Sequence, residues 1–250
     1  MKVALMTDFD SPDVMRHGDS SDPKLSGNDV LIKVIRAGMN PIDHYLRNGD
    51  FGAIVPLPHI LGSDAAGEVV AVGADVTAFK VGDRVIPMPG YPLNSRDHAF
   101  SPLSAAPSYG IVGVGRHGTH AQYLSVPAEW VVPDSTGLAP ELIATLPMVV
   151  VTTVRAVRVV GEVKAGDRVL VLAGASGTGS MAIQVAKALG AQVAAIVRGE
   201  DRADFVRSLG AELVIDTTKT TVHPLVQERT DGRGADVVID NLGGDLTRQS

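Results

Sequence analysis

One stretch narrows the possible folds more than any other. Arg168-Val-Leu-Val-Leu-Ala173 is an apolar run of strand length, Gly174-Ala-Ser-Gly177-Thr-Gly179 follows it, and residues 180–189 carry apolar side chains at helical spacing up to Gly190. A strand apolar on successive residues is buried on both faces, which a parallel sheet covered by helices provides. Small residues between strand and helix allow positive φ, let a pyrophosphate approach the backbone, and let the helix pack closely. The N–H groups that open the helix then face the phosphates, helped by the helix dipole. Against the G-x-G-x-x-G template the turn reads Gly174, Ser176 and Gly179, with serine at the middle glycine; Gly177 and Thr178 complete the expected cofactor-binding residues. A bare strand–helix connection is the plainer reading of such a turn. Its place in a βαβ unit favours nucleotide binding.

The alternation continues with strand 192–197, helix 201–209, strand 212–215, helix 222–229 and strand 236–240. That order predicts a doubly wound parallel sheet. A helical pattern over residues 140–160, interrupted at Pro147, precedes it. Ahead of Pro133 the signals differ: short β-branched runs at 30–35, 67–72, 83–87 and 122–126 are separated by Gly, Pro and Asp, as in an antiparallel barrel or sandwich. The expected class is therefore α/β, with an antiparallel β domain over residues 1–132 and a doubly wound nucleotide-binding domain over residues 133–250. Met88–Gly118 is rich in proline and has no clear period, and reads as a lobe or a loop over a site. The chain stops at the start of a helix after the fourth parallel strand. A six-stranded sheet would need on the order of 50–60 further residues, so the sheet is expected to be truncated.

The absence of cysteine from all 250 residues excludes disulfides, Cys-ligated zinc, iron–sulfur clusters and thiol nucleophiles. A net charge of −6 without a Lys/Arg block argues against a nucleic-acid partner. The start, MKVALMTDFD, turns acidic too early for a signal peptide, and no apolar run approaches a membrane span. A cytoplasmic protein with no membrane partner is the expectation. The end of the second parallel strand selects the nucleotide. A carboxylate there would accept hydrogen bonds from the ribose 2′-OH of NAD. Val197 holds the slot instead, with Arg198 next and Arg202 following. A guanidinium takes a 2′-phosphate in bidentate fashion, so NADPH is expected over NADH. A solvated helix start, with Glu200 and Asp201 between the arginines, is the alternative.

Several ordered motifs then carry a resemblance. They are Ala37-Gly-Met-Asn-Pro-Ile-Asp-His-Tyr-Leu-Arg-Asn-Gly49, Leu61-Gly-Ser-Asp-Ala-Ala-Gly-Glu-Val-Val70, Val72–Val85, Gly118-Thr-His-Ala-Gln-Tyr123, Leu146-Pro147 with Thr152, the nucleotide turn, Gln184–Gly190 and Asp240-Asn-Leu-Gly-Gly244. Together they resemble the medium-chain dehydrogenase/reductase superfamily, and within it the quinone oxidoreductase branch. The resemblance covers nearly the whole chain except residues 88–118. It implies a GroES-like barrel plus a Rossmann domain, with the site in the cleft between, and a homodimer in full-length relatives.

The resemblance also locates what is missing. In the zinc alcohol dehydrogenases of the superfamily, Cys stands at the position of Asn40, a His-Glu pair at Ser63-Asp64, and a further Cys near Met148. The excursion falls where those enzymes carry a four-Cys zinc lobe. No zinc and no metal site is expected here, because Asp64 alone cannot replace three protein ligands. The histidines, His117 and His120 included, read as polar surface residues. Tyr45 falls where quinone oxidoreductases also have Tyr and some zinc relatives a proton-relay His. It is the expected proton donor, with a half-buried structural aromatic as the alternative. Asn40 offers an amide to the substrate or nicotinamide side, or is a turn residue before Pro41. Asp43 and Arg47 read as a pair across one helical turn. Ser63 and Asp64 line the former metal position as a polar wall, or form a plain turn. By analogy Thr152 lies near the nicotinamide, unless it only bonds its own backbone. Asn241, Gly243 and Gly244 lie where the ribose and nicotinamide would sit.

Without a metal to help deprotonate an alcohol, the easier chemistry is delivery of hydride to an electrophilic acceptor. The expected function is a zinc-independent oxidoreductase that passes hydride from NADPH to a quinone, enone or related carbonyl. A metal-free alcohol/aldehyde reductase and a non-catalytic NADPH-binding sensor or structural protein are the alternatives. Acceptor specificity is expected from residues 51–59 and from the excursion.

Overall fold

The β-branched runs of the amino-terminal half become strands because alternate side chains find a common interior. The computed structural model describes residues 1–51 and 54–249. It divides into two compact units, Met1–Met148 and Val149–Ser250.

The first unit contains strands β1 (Lys2–Met6), β2 (Met15–Asp19), β3 (Asp29–Gly38), β4 (His59–Ile60), β5 (Asp64–Val72), β6 (Arg84–Pro87), β7 (Gly90–Pro92), β8 (Tyr109–Ile111), β9 (Tyr123–Pro127) and β10 (Val131–Pro133). Five of them form an antiparallel sheet in the order β10-β6-β5-β3-β9, and three more the sheet β2-β1-β4. Val30, Ile32, Val69, Val85 and Val126 meet in its core. The β3–β5 register runs from Val30 opposite Val72 to Gly38 opposite Asp64, with irregularities between Leu31 and Ile32 and between Val34 and Arg36. Helix α1 (Pro41–Asn48) begins immediately beyond β3, with Asn40 at its N-cap and proline in its first turn, where the missing N–H costs nothing. Helix α2 (Pro140–Ile143) packs on β3 and β5 through Ile143 and Ala144, so residues 133–148 lie with the barrel.

The excursion is a built lobe. β7 and β8 pair antiparallel around two short 3-10 turns. Tyr91 stacks on Trp130 with ring centroids 5.5 Å apart and planes 6° apart, and the Arg116 guanidinium lies 3.7 Å from the centroid of the Tyr91 ring. Where the lobe returns past the segment between β4 and β5, backbone meets backbone. A Cβ on Gly118 would sit 2.2 Å from the Gly62 carbonyl oxygen, so only glycine fits.

Helix α3 (Pro147–Val154) runs on into a π-helical turn at Arg155–Val160. The second unit then alternates as the sequence predicts: β11 (Arg168–Val171), α4 (Gly177–Ala188), β12 (Gln192–Val197), α5 (Ala203–Ser208), β13 (Leu213–Asp216), α6 (Val222–Arg229), β14 (Val237–Ile239) and α7 (Asp245–Gln249). The sheet is parallel in the order β13-β12-β11-β14, the first four positions of the doubly wound order 3-2-1-4-5-6. β11 is apolar and buried from Val169 onward because both faces are covered. Val169 and Val171 enter one cluster with Ala182 and Ile183 of α4, while Leu170 and Leu172 enter another with Val222 and Val226 of α6. Among the described residues no helix is long and apolar enough to cross a membrane.

Candidate active site

In the first unit a polar cluster forms where β3 ends, α1 begins and β5 starts. The β3–β5 register sets Asp64 beside Gly38, two residues before Asn40. Asn40 Nδ2 donates to Asp64 Oδ2 at 2.9 Å, and the Met148 backbone N–H donates to Asp64 Oδ1 at 2.9 Å. Thr119 Oγ1 donates to the Asp64 carbonyl at 3.0 Å, and Ser63 Oγ to the Val112 carbonyl at 2.7 Å. Asp64 and Ser63 are each 1% exposed. Burial pushes the Asp64 carboxyl above the usual range and Asp43 adds to this, against the hydrogen bonds from Asn40 and Met148. The structure thus joins Asn40, Asp64 and Met148 directly, and directs Ser63 toward the lobe backbone.

Asp43 and Arg47 do not pair across their helical turn as expected. Asp43 is buried and turns inward, where its Oδ1 accepts the Gly62 N–H at 2.9 Å and its Oδ2 the Asn40 N–H at 2.8 Å. Two backbone donors left without a local partner outcompete a solvated cation. Arg47 instead approaches His44 Nδ1 and Asn48 Oδ1, both at 2.9 Å. Sequence reading missed Asp43 and Thr119 as members of the cluster; Asp43 sits three residues after Asn40, at the spacing of a helix capping box that could have marked it, while the Gly62 and Asp64 contacts lie far along the chain. The histidines also need correction. His59 is buried, with Nε2 donating to the Gly113 carbonyl at 3.0 Å and Nδ1 unpartnered, and burial holds its pKa below the ordinary value. Tyr45 is about half-buried, at 45% exposed, with its ring edge-on to Phe51 at 6.2 Å. Residues 52 and 53 of the loop expected to set specificity lie outside the described residues. Beside this cluster, with Asp43 and Thr119 in its lining, an open cavity of about 880 Å³ lies along β1, the end of β3 and α1, also lined by Val3, Ile35, Met39 and His120. No sequence signal marked it.

These groups do not fit a zinc ion. The single carboxylate already accepts two N–H donors, Asn40 offers an amide, Ser63 gives its proton to a carbonyl, and Met148 presents a backbone N–H. Among the described residues no group of three or more His, Cys, Asp or Glu could hold a metal ion.

The second unit offers a different surface. Ser176 caps α4, its Oγ accepting the Gly179 N–H at 3.0 Å. A Cβ on Gly179 would sit 2.1 Å from the Ala173 carbonyl oxygen, and one on Gly174 would sit 2.9 Å from Ala195 Cβ. Both glycines are demanded by close packing. Gly177, by contrast, is exposed, and the first N–H groups of α4 have no intrahelical acceptor. The first turn carries no acidic residue. Asn241, just after β14, donates through Nδ2 to Thr178 Oγ1 at 2.6 Å and Ser176 Oγ at 3.2 Å. The structure therefore brings Ser176, Thr178 and Asn241 together between the ends of β11 and β14, the switch point of such a sheet. Gly243 follows with φ 70, in a turn whose Leu242 and Gly243 N–H groups both bond Asp240 Oδ1. A dinucleotide pyrophosphate fits this cradle.

Arg198 and Arg202 are both exposed at the end of β12. Between them Gly199 has φ 98, and its N–H is held by Asp216 Oδ1 at 3.0 Å; Glu200 is paired with Lys219. Thr152 is exposed on α3, while its neighbour Thr153 is buried with an unpartnered hydroxyl.

Comparisons with known proteins add the following. The alcohol dehydrogenase GroES-like domain family matches residues 26–141, and the zinc-binding dehydrogenase family residues 177–250. An NADPH-dependent alkenal/one oxidoreductase of Arabidopsis thaliana chloroplasts is 33% identical over 246 residues, covering 97% of this chain and 58% of that protein. A quinone oxidoreductase of Pseudomonas aeruginosa is 33% identical over 242 residues, covering 97% of this chain and 66% of that one. The chain thus spans roughly three-fifths of the length of such curated relatives. Among solved structures, an NAD-dependent alcohol dehydrogenase superposes with a TM-score of 0.92 at 34% identity, covering 97% of this chain and 71% of that one. The names differ in nucleotide, so the choice here rests on this chain's own residues.

Proposed function

The chain belongs to the medium-chain dehydrogenase/reductase superfamily, and from that premise we propose that it is a zinc-independent oxidoreductase passing hydride from NADPH to a quinone, enone or related carbonyl acceptor. The observation that carries this reading is the Gly174–Gly179 turn at the sheet's switch point, with Ser176, Thr178 and Asn241 gathered and open N–H groups at the start of α4. Gly174, Ser176, Gly177, Thr178 and Gly179 hold the pyrophosphate, Asn241 and Gly243 the riboside, and Thr152 the nicotinamide side. Arg198 and Arg202 take the 2′-phosphate. Support for that assignment comes from Lys219, which engages Glu200, one of the two carboxylates that stand between the arginines in the chain.

When bound, NADPH supplies the hydride. The chain's task is then to hold the acceptor, exclude water and meet the oxyanion that develops as hydride arrives. The exposed Tyr45 phenol, braced by Phe51, donates to that oxygen and gives up its proton to form the enol or quinol. Asn40 orients a reactant through its amide. Ser63 and Asp64 shape the wall behind it.

The test follows loss of the reduced-nicotinamide absorbance across quinone, enone and aldehyde panels, with Tyr45→Phe and metal analysis alongside. Quinone or enone reduction with NADPH, slowed by Tyr45→Phe, is expected. Stoichiometric zinc together with alcohol oxidation by NAD would sink the reading. The folded 88–118 lobe and the dehydrogenase-like structure favour a metal-free aldehyde reductase as second reading. Tight NADPH binding without turnover would instead mark a sensor.

A further inference from the structure

Asp64 is a costly residue to bury. It is 1% exposed, and both its partners are neutral N–H donors, so no cation offsets the desolvation of its charge. Two apolar side chains would serve as well if mere packing were needed. Its partners are instructive. A carboxylate only accepts, and so does each of its oxygens here, one toward Met148 N–H and one toward Asn40. The atom that Asn40 turns toward β5 must therefore be its nitrogen. The other end of Asn40 is held as well, its backbone N–H lying on Asp43 Oδ2 at 2.8 Å.

We propose that Asp64 is a positioning residue, which sets the way round in which the Asn40 amide stands and so whether reactants meet it as donor or acceptor. The role rests on the function proposed above, with Asn40 at the reactants. It goes beyond lining a former metal position. The logic makes one substitution unusually informative. In Asp64→Asn the introduced carbonyl must still accept the Met148 N–H, which can only donate. The introduced amide nitrogen then faces Asn40, which has to rotate its oxygen inward. One isosteric change thus reverses the Asn40 amide while both hydrogen bonds survive.

Two measurements decide. In protein labelled with ¹⁵N at asparagine, the Asn40 side-chain amide of the parent is expected to show one downfield, slowly exchanging proton, lost in Asp64→Asn. Identical Asn40 amide signals in both proteins would overturn the proposal, whether or not NADPH binds. In parallel, Asp64→Asn is expected to change the NADPH Kd or the acceptor KM about tenfold, the scale of one reversed hydrogen bond. A shift in Kd places Asn40 against the cofactor, and a shift in KM alone places it against the acceptor. N40D should fold poorly, with two carboxylates face to face, and the N40D/D64N swap should recover its melting temperature. No recovery in the swap also overturns the pairing. If the parent protein binds no NADPH yet the amide signals differ as described, the oxidoreductase reading falls and the positioning stands.

Discussion

In the first unit the polar side chains of the site, most of them buried, already commit their hydrogen bonds to one another or to nearby backbone: Asn40 to Asp64, Asp64 to the Met148 N–H, Asp43 to the Gly62 N–H, Thr119 to the Asp64 carbonyl. In the second unit they are mostly backbone N–H groups and short hydroxyls at the edge of a sheet, shaped by glycines and left open. The first arrangement spends its hydrogen bonds internally and presents few groups, each fixed in direction. The second keeps its donors for a ligand. A metal could enter the first cluster only by breaking bonds already made, whereas a pyrophosphate could enter the second at little cost. On the function proposed above, the contrast is between a site that orients and a site that receives.

Substitutions can break this contrast. The largest effect should come from Asp43→Ala, which strands the Gly62 and Asn40 N–H groups. Two unpaired donors cost about 2–5 kcal/mol, read as a lower unfolding midpoint in urea, with the nucleotide turn untouched. If stability holds, the first cluster is not the interlocked network described. Gly179→Ala is next. Its Cβ would meet the Ala173 carbonyl, so α4 must shift, costing about 1–3 kcal/mol and most of the NADPH affinity in a titration. Undiminished binding would mean that the receiving site lies elsewhere. Arg198→Ala should weaken NADPH about tenfold and leave NADH unchanged, compared by equilibrium titration of both. Equal losses for the two nucleotides would remove the phosphate role.

The smallest effect concerns pH. Burial keeps His59 neutral, its pKa below the ordinary 6.5. The unfolded chain takes up this proton first, so the stability His59 contributes is full above pH 6.5 and declines as pH falls through that value toward the lower folded one. Melting temperatures from about pH 7.5 to about pH 5.5 should fall less steeply in His59→Gln, which keeps a donor for Gly113 but cannot titrate. Parallel curves would place the acid sensitivity elsewhere.

Legibility in the sequence follows the same division. The parallel sheet could be read closely: strand 192–197 and helix 222–229 match their observed bounds, because period, Gly-rich turns and β-branched runs are local signals. The nucleotide turn could be read for the same reason. The orienting cluster could not. Asn40, Ser63 and Asp64 were identified only through a resemblance, and the partners that define them, Asp43, Thr119 and the Met148 N–H, depend on strand register and on a lobe crossing. Arg47 shows how a spacing rule fails. The i, i+4 partner was present, but burial offered Asp43 two backbone donors instead. The β1–β2 hairpin and the lobe's internal pairing left no period to read.

The Tyr91–Trp130 stack has an optical consequence. Trp130 is the only tryptophan, and the four tyrosines are Tyr45, Tyr91, Tyr109 and Tyr123, so every strong ultraviolet chromophore of the chain falls within Met1–Met148. Indole emission therefore reports on the lobe seated against the barrel and says nothing of the parallel sheet. The second unit carries no such chromophore, so a reduced nicotinamide bound there, as proposed, would be read against a dark background.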